Sequence, residues 1–354
     1  MHWCRRGGLT SHPTRRRREQ IISGIYYYSV AITIEMRKLL RTILPFLSIA
    51  LQFTYTFPFN IERRQVTDAP NSTQNDLDIV DPVAIQADSI PWYQLDPFQQ
   101  DHIRFHCYLS MAAYGDYKNL CPSTFAVQGN EFEILQEFET NLGQKGFVAR
   151  VPLMQKVVIV FKGYDSYTPL SWDPVQIDIG RPLAGCGQNC TAGRGVLDLY
   201  NSARLATDNW SLAKSAVNAT GLKFSVTGHG IGGSVAQLAA LDLGSGGWVH
   251  YAHSQAAPRS MSPAAAQILG KMFQGESGQH VIANNDFFPH IIPRSESFTR
   301  VSTAVWIFGN QTEWMRSCNY YPENKACLGN GTSIPDNYYY FTPMGQCGAA
   351  NKGF

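Results

Sequence analysis

The stretch Leu222-Lys223-Phe224-Ser225-Val226-Thr227-Gly228-His229-Gly230-Ile231-Gly232-Gly233 decides the fold. Its first six residues read as a short strand. A helix is expected over 233–243, with Val235, Leu238, Ala239 and Leu241 on its packing side. The glycines between them permit a sharp turn in which strand and helix backbones nearly touch. A phosphate-cradling loop is the competing reading. With its glycines at 228, 230, 232 and 233 taken to fit neither G-x-x-x-x-G-K-[ST] nor G-x-G-x-x-G, it is set aside.

Outward from this turn, strand and helix patterns alternate. Residues 101–114 and 196–216 carry apolar residues at helical spacing. Residues 146–151 and 156–161 read as a strand hairpin, the second a continuous β-branched run suited to burial on both faces. Further strands are expected over 248–253 and 280–283. This alternation predicts an α/β fold, a central, mostly parallel sheet flanked by helices. A nucleophile elbow in such a sheet reads G-x-S-x-G, its central side chain strained into the cleft and the helix N-terminus behind it. Here the frame is complete, but Gly230 occupies the serine position.

Composition bounds the setting. Of 354 residues, 44% are hydrophobic and 12% aromatic, ample for a core. The net charge of +2 sums a basic N-terminus and a slightly acidic remainder, so no basic surface argues for nucleic acid. Seven of eight cysteines lie beyond residue 100, and N-x-S/T sequons stand at Asn71, Asn189, Asn209, Asn218, Asn310 and Asn330. Together these fit an oxidising secretory route. Met36-Arg37-Lys38 begins a basic region, residues 42–59 are mostly apolar, and Ser48-Ile49-Ala50 offers a small-x-small cleavage site. Residues 36–64 thus read as signal peptide and possible propeptide. About 18 apolar residues can also just span a bilayer, so a signal anchor competes. Residues 1–35 are left as an upstream extension or a gene-prediction artefact. Arg63-Arg64 reads as a processing site or a solvated pair. Residues 65–92 are a polar linker, and 93–354 one domain.

The motifs in order resemble those of the fungal class 3 lipases and feruloyl esterases, which have the α/β-hydrolase fold. Thr227-Gly228-His229-Gly230-Ile231-Gly232-Gly233 is similar to T-G-H-S-L-G-G. Ala112-Ala113-Tyr114-Gly115-Asp116, Leu120-Cys121-Pro122-Ser123-Thr124, Ile159-Val160-Phe161-Lys162-Gly163, Ala257-Pro258-Arg259, Asn285-Asp286-Phe287-Phe288-Pro289 and Tyr340-Phe341 to Cys347 follow the family's other signatures. The resemblance implies that Asp286 is the triad acid. It puts Gly230 in place of the nucleophile, Asn337 in place of the triad histidine and Tyr164 at an oxyanion-hole position usually Ser or Thr. The Ile231 N–H is the second oxyanion donor. It also implies disulfides Cys121–Cys347, Cys186–Cys190 and Cys318–Cys327, with Cys107 left a buried free thiol and no cofactor or metal.

The functional expectation is therefore a secreted, catalytically degenerate member that binds an acyl, lipid or aromatic ester ligand. Its cleft would be rimmed by Tyr164, Tyr338 and Tyr339, with contact to a membrane surface open. One alternative is an ester hydrolase with a relocated nucleophile, Ser234 with His290. Another is a lyase or cyclase working through Asp286 and Tyr164. The bland readings are that Ser234 packs or caps the helix, Ser225 is structural, His229 packs or hydrogen-bonds, and His290 makes a surface ion pair. His250 and His253 are expected on one strand face without a third metal ligand.

Overall fold

The computed structural model describes residues 92–348, apart from 127–130, 153, 165–169, 180–182, 184, 187–188, 275–276, 294–296, 302, 310–313 and 319–322. All belong to the unit Ile79–Phe354. The signal, linker, Asn71 and Asn310 readings fall outside the described residues.

Strand β1 (Tyr93–Gln94) leads into α1 (Pro97–Ala112) and α2 (Tyr117–Ala126). The start of α1 is fixed by Asp96, whose carboxylate accepts from the Gln99 N–H at 2.9 Å while the Gln99 side chain accepts from the Asp96 N–H. Pro97 supplies a first helical residue that needs no N–H partner. Then come β2 (Glu133–Glu139), β3 (Lys145–Val151), β4 (Lys156–Phe161), β5 (Pro174–Gln176), β6 (Thr191–Gly193), α3 (Arg194–Ala206) and α4 (Ser211–Thr220). The second half contains β7 (Lys223–His229), α5 (Ile231–Ser245), β8 (Val249–Gln255), α6 (Pro263–Met272), β9 (Gly278–Ala283), β10 (Thr303–Ile307) and β11 (Met315–Cys318).

Nine strands form one sheet in the order β1-β11-β10-β9-β8-β7-β4-β3-β2. The five central strands, β4 and β7 to β10, are parallel, and antiparallel pairs flank them on both sides. The β-branched run of β4 is buried along its whole length, as a strand covered on both faces requires. Among the described residues no helix is long and apolar enough to cross a membrane. The three expected disulfides are present, and Cys107 is free and buried.

Two expectations need correction. The single helix over 196–216 is two helices, α3 and α4, broken at Asp208, Asn209 and Trp210, whose φ values are 47°, 53° and 63°. The break puts Trp210, fully buried, edge-on against Phe138 and Phe161 at 5.5 and 5.6 Å between centroids. Burying an indole offsets three left-handed residues, and the apolar spacing continues across the break, so periodicity does not reveal it. His250 and His253 stand three apart and lie on opposite strand faces; His250 is exposed and His253 buried.

Candidate active-site elbow

The turn from β7 into α5 is built by its glycines. A Cβ on Gly228 would stand 2.2 Å from the Gly232 carbonyl oxygen, and one on Gly232 would stand 2.4 Å from the Phe161 oxygen. Gly230 is different. Its backbone sits at φ 58°, ψ −128°, the strained corner conformation that aims a side chain into a cleft. The nearest atoms to its Cβ position, Tyr114 Oη and Phe288 Cδ1, are 3.9 and 4.0 Å away. The corner is held by the Gly230 N–H donating to Gln255 at 2.9 Å. Gly228→Ala or Gly232→Ala is therefore expected to prevent folding. Gly230→Ala should fold and lose only about 1–3 kcal/mol to the left-handed backbone, which urea midpoints will separate.

Gly228, Gly230 and Gly233 do satisfy G-x-G-x-x-G, so spacing alone does not exclude a dinucleotide loop. The strand after the helix does: β8 ends at Ser254-Gln255, without the acidic residue that holds a ribose.

Around the corner most polar groups are paired with one another, with His229 Nε2 and Asn337 Oδ1 the exceptions. Tyr114 Oη lies 2.9 Å from His229 Nδ1. Burial pushes the His229 pKa down to about 3, opposed by the Asn337 backbone beside it. The His229 and Tyr340 rings meet edge to face at 5.2 Å. Asp286 is fully buried. Tyr340 Oη donates to its Oδ2 at 2.7 Å and the Phe288 N–H to its Oδ1 at 2.9 Å. Burial raises its pKa to about 7 against these two bonds, with nearby Asp336 adding to the rise. Asn337 is also buried, on the Pro335–Tyr338 3₁₀ turn, and its Oδ1 has no hydrogen-bond partner.

Other expected residues are placed differently. The Tyr164 hydroxyl is committed to the Leu142 carbonyl at 2.6 Å, so its phenol is not a free donor. Ile231 begins α5, the helix end where unpaired N–H groups gather. Ser234 is buried and donates to the Pro258 carbonyl at 3.1 Å, and Ser225 is buried in β7, as the bland readings hold. His290 forms no surface ion pair and does not meet Ser234. Its Nδ1 is 3.1 Å from an Arg300 nitrogen and its Nε2 3.1 Å from the Leu328 carbonyl. Since arginine only donates and a carbonyl only accepts, this is the neutral Nε2–H tautomer. Tyr338 and Tyr339 are exposed, as a rim requires, together with Phe287 and Ile334.

The Asp286–Tyr340 pair was missed by sequence reasoning, as was the network behind it. Arg259 forks onto Glu323 at 2.8 and 2.7 Å, and Arg300 binds the same carboxylate while donating to the Pro289 carbonyl at 2.9 Å. Pro289 and His290 form the turn that carries Phe288 to Gly230, so this buried network braces the corner's neighbour. Among the described residues no cluster of three or more His, Cys, Asp or Glu is arranged to hold a metal.

A parallel sheet whose mid-sheet strand turns through a glycine corner into a helix defines the α/β-hydrolase fold. Residues 158–296 match the family model Lipase (class 3). The chain is 26% identical over 226 residues to a lipase of Rhizomucor miehei, covering 58% of this chain and 56% of that protein. It is 26% identical over 169 residues to a secreted mono- and diacylglycerol lipase, MDL3, of Malassezia globosa, covering 45% and 54%. The chain thus spans about half the length of the curated relatives it matches. Among solved structures, Lip2 lipase of Yarrowia lipolytica superposes with a TM-score of 0.63 at 17% identity, over 74% of this chain and 99% of that one. A triacylglycerol lipase described as having a serine-protease triad gives 0.61 at 21%, over 73% and 100%. These likenesses show the fold. The disulfides and the secreted relative are consistent with an extracellular protein.

Proposed function

We propose that this is a secreted member of the family that no longer performs serine-ester hydrolysis and keeps its cleft for binding an acyl, lipid or aromatic ester ligand. The observation that carries this is Gly230. It occupies the corner from which a serine would attack, and glycine has no attacking atom. Asn337, at the position of the family's histidine, has no basic nitrogen. Asp286 has both oxygens bonded, to Tyr340 and Phe288. His229 is buried and held neutral, so it is a poor substitute base. Losing a triad lowers turnover by about 10⁶-fold. Exposed Phe287, Ile334, Tyr338 and Tyr339 support contact with an apolar ligand or a lipid surface.

Turnover of p-nitrophenyl esters is expected to lie about 10⁶-fold below that of a triad-bearing lipase, with no labelling by a fluorophosphonate probe. Labelling in the Gly230→Ser, Asn337→His double variant, absent from the parent, is the expected companion result, because the corner geometry and the space at Gly230 are already in place. Stoichiometric labelling of the parent at Ser234 would reverse the reading in favour of a relocated nucleophile. A second reading, proton transfer by the Asp286–Tyr340 pair in a lyase or cyclase, is favoured by one observation. A carboxyl with a pKa of about 7 can serve as acid or base near neutrality.

A further inference from the structure

Away from the corner, the connected end of the β10–β11 pair carries a row of aromatic rings. Trp306 and Phe308 stack at 4.6 Å between centroids with a 25° tilt, and Phe308 is followed by Trp314 at 6.1 Å and 32°. Trp92 lies beside them, and the Arg316 guanidinium sits 4.0 Å over its ring and 5.5 Å from those of Trp306 and Phe308. Trp92 and Trp314 are 49% and 55% exposed. Two indoles half open to water, beside a third indole and a phenyl that are only partly buried, are costly without a cover.

A sequon stands against this row. The Trp306 indole N–H donates to the Asn284 carbonyl at 2.6 Å, and the next residue, Asn285, accepts from the Asn330 N–H at 3.3 Å. A Cβ on Gly329 would come 3.3 Å from Trp306 Nε1, which puts the Asn330 Cα within about 9 Å of the indole nitrogen. Asn330 is exposed, and its Oδ1 accepts from the Thr332 hydroxyl of its own sequon at 2.6 Å. A pyranose ring presents an apolar face of C–H groups that packs on an aromatic plane, and its hydroxyls bond outward to water or a guanidinium. A sugar fixed at Asn330 is therefore supplied to the row at high effective concentration.

We propose that the Trp306–Phe308–Trp314 row is the seat of this chain's own N-linked glycan, carried by Asn330. The seat rests on the secretory route put forward above. A second sequon, Asn310, lies outside the described residues, between Phe308 and Trp314 in sequence; it is the rival carrier.

The test uses the full chain secreted from a glycosylating fungal host. Glycopeptide mass spectrometry is expected to find Asn330 occupied. Endoglycosidase trimming, which leaves the first N-acetylglucosamine, should leave tryptophan emission and Tm unchanged. The Thr332→Ala variant should lose the glycan, shift emission to the red and lower Tm by a few degrees, whereas Thr332→Ser should keep all three. Asn330→Asp, which keeps Thr332 but removes the sugar, should behave as Thr332→Ala does. An occupied Asn330 whose loss leaves emission and Tm unmoved overturns the seat without touching secretion. An emission shift seen with Thr312→Ala alone overturns the carrier. Secreted protein with Asn330 unglycosylated overturns the proposal.

Discussion

Acidifying the protein from pH 7 to pH 5 is expected to remove about 6 kcal/mol of unfolding free energy, enough to unfold a typical domain. All seven described histidines are held below the ordinary imidazole value, each chiefly by burial. His106, His229, His253 and His280 are fully buried. The core of the effect lies under α1. His106 Nδ1 is 2.7 Å from the His102 carbonyl and its Nε2 3.3 Å from Ser225 Oγ, and its ring stacks on His253 at 4.0 Å. The groups facing them are basic or neutral: Lys156 from β4, Lys223 at the start of β7, and Tyr251 and Gln279 from β8 and β9. Lys156 itself is buried over the Tyr251 ring at 3.8 Å, and its pKa falls to about 8. Among the described residues, no carboxylate acts on a proton arriving at His106 or His253.

The sign follows from proton linkage. Folded values lie below the unfolded 6.5, so the unfolded chain binds more protons in acid, and stability is lost as pH falls through 6.5. Each fully buried histidine that stays neutral costs about 2 kcal/mol by pH 5. Asp286 works the other way. Its raised pKa favours the folded state as pH drops from 7, offsetting about one histidine. Urea midpoints measured from pH 7.5 to 4.5 should fall most steeply between 6.5 and 5. A flat profile would mean that the imidazoles protonate in place with water or a counter-ion beside them.

The second large effect is expected from Glu323→Gln: a loss of about 3–5 kcal/mol and of roughly 10 °C in Tm. Glu323 neutralises two guanidinium groups that water does not reach; the Arg300 and Arg259 side chains are 1% and 10% exposed. Glutamine keeps the shape and removes the charge, leaving two buried cations together. The same pairs drive the Glu323 pKa down to about 2 despite burial. Its contribution is therefore present above pH 4.5 and lost as pH falls toward 2. Because Arg300 also holds Pro289 and His290, the variant should lose affinity for hydrophobic probes at the corner as well as stability. A Glu323→Gln protein with unchanged Tm would show that the arginines find other partners.

How much of this was legible in the sequence depended on distance along the chain. The strand, corner and helix of 222–245 were readable because every determinant is local: a β run, glycines at backbone collisions and a small-residue helix. The disulfides came with the family resemblance, not from spacing. The break at Asp208-Asn209-Trp210 was not readable, because it is decided by where Trp210 packs, against residues from β2 and β4. The Arg259–Glu323–Arg300 network joins positions 64 and 23 residues apart, and single charged residues carry no pattern. The pairing of Asp286 with Tyr340 was hidden for the same reason, and Tyr164 gave no sign that its hydroxyl turns to Leu142. Of the histidines under α1 only His253 stood out in the sequence; the register of β7 with β8 is what brings His106 of the helix onto it.

The Cys121–Cys347 bond spans a sequence separation of 226, and so converts nearly the whole domain into a closed covalent ring. A protease that cuts any one peptide bond within it opens the ring into a single linked molecule and releases no fragment, and new chain ends made inside it remain tethered at the old ones. The first cut therefore leaves the domain covalently in one piece, and only a second cut or reduction of the disulfide lets a piece leave.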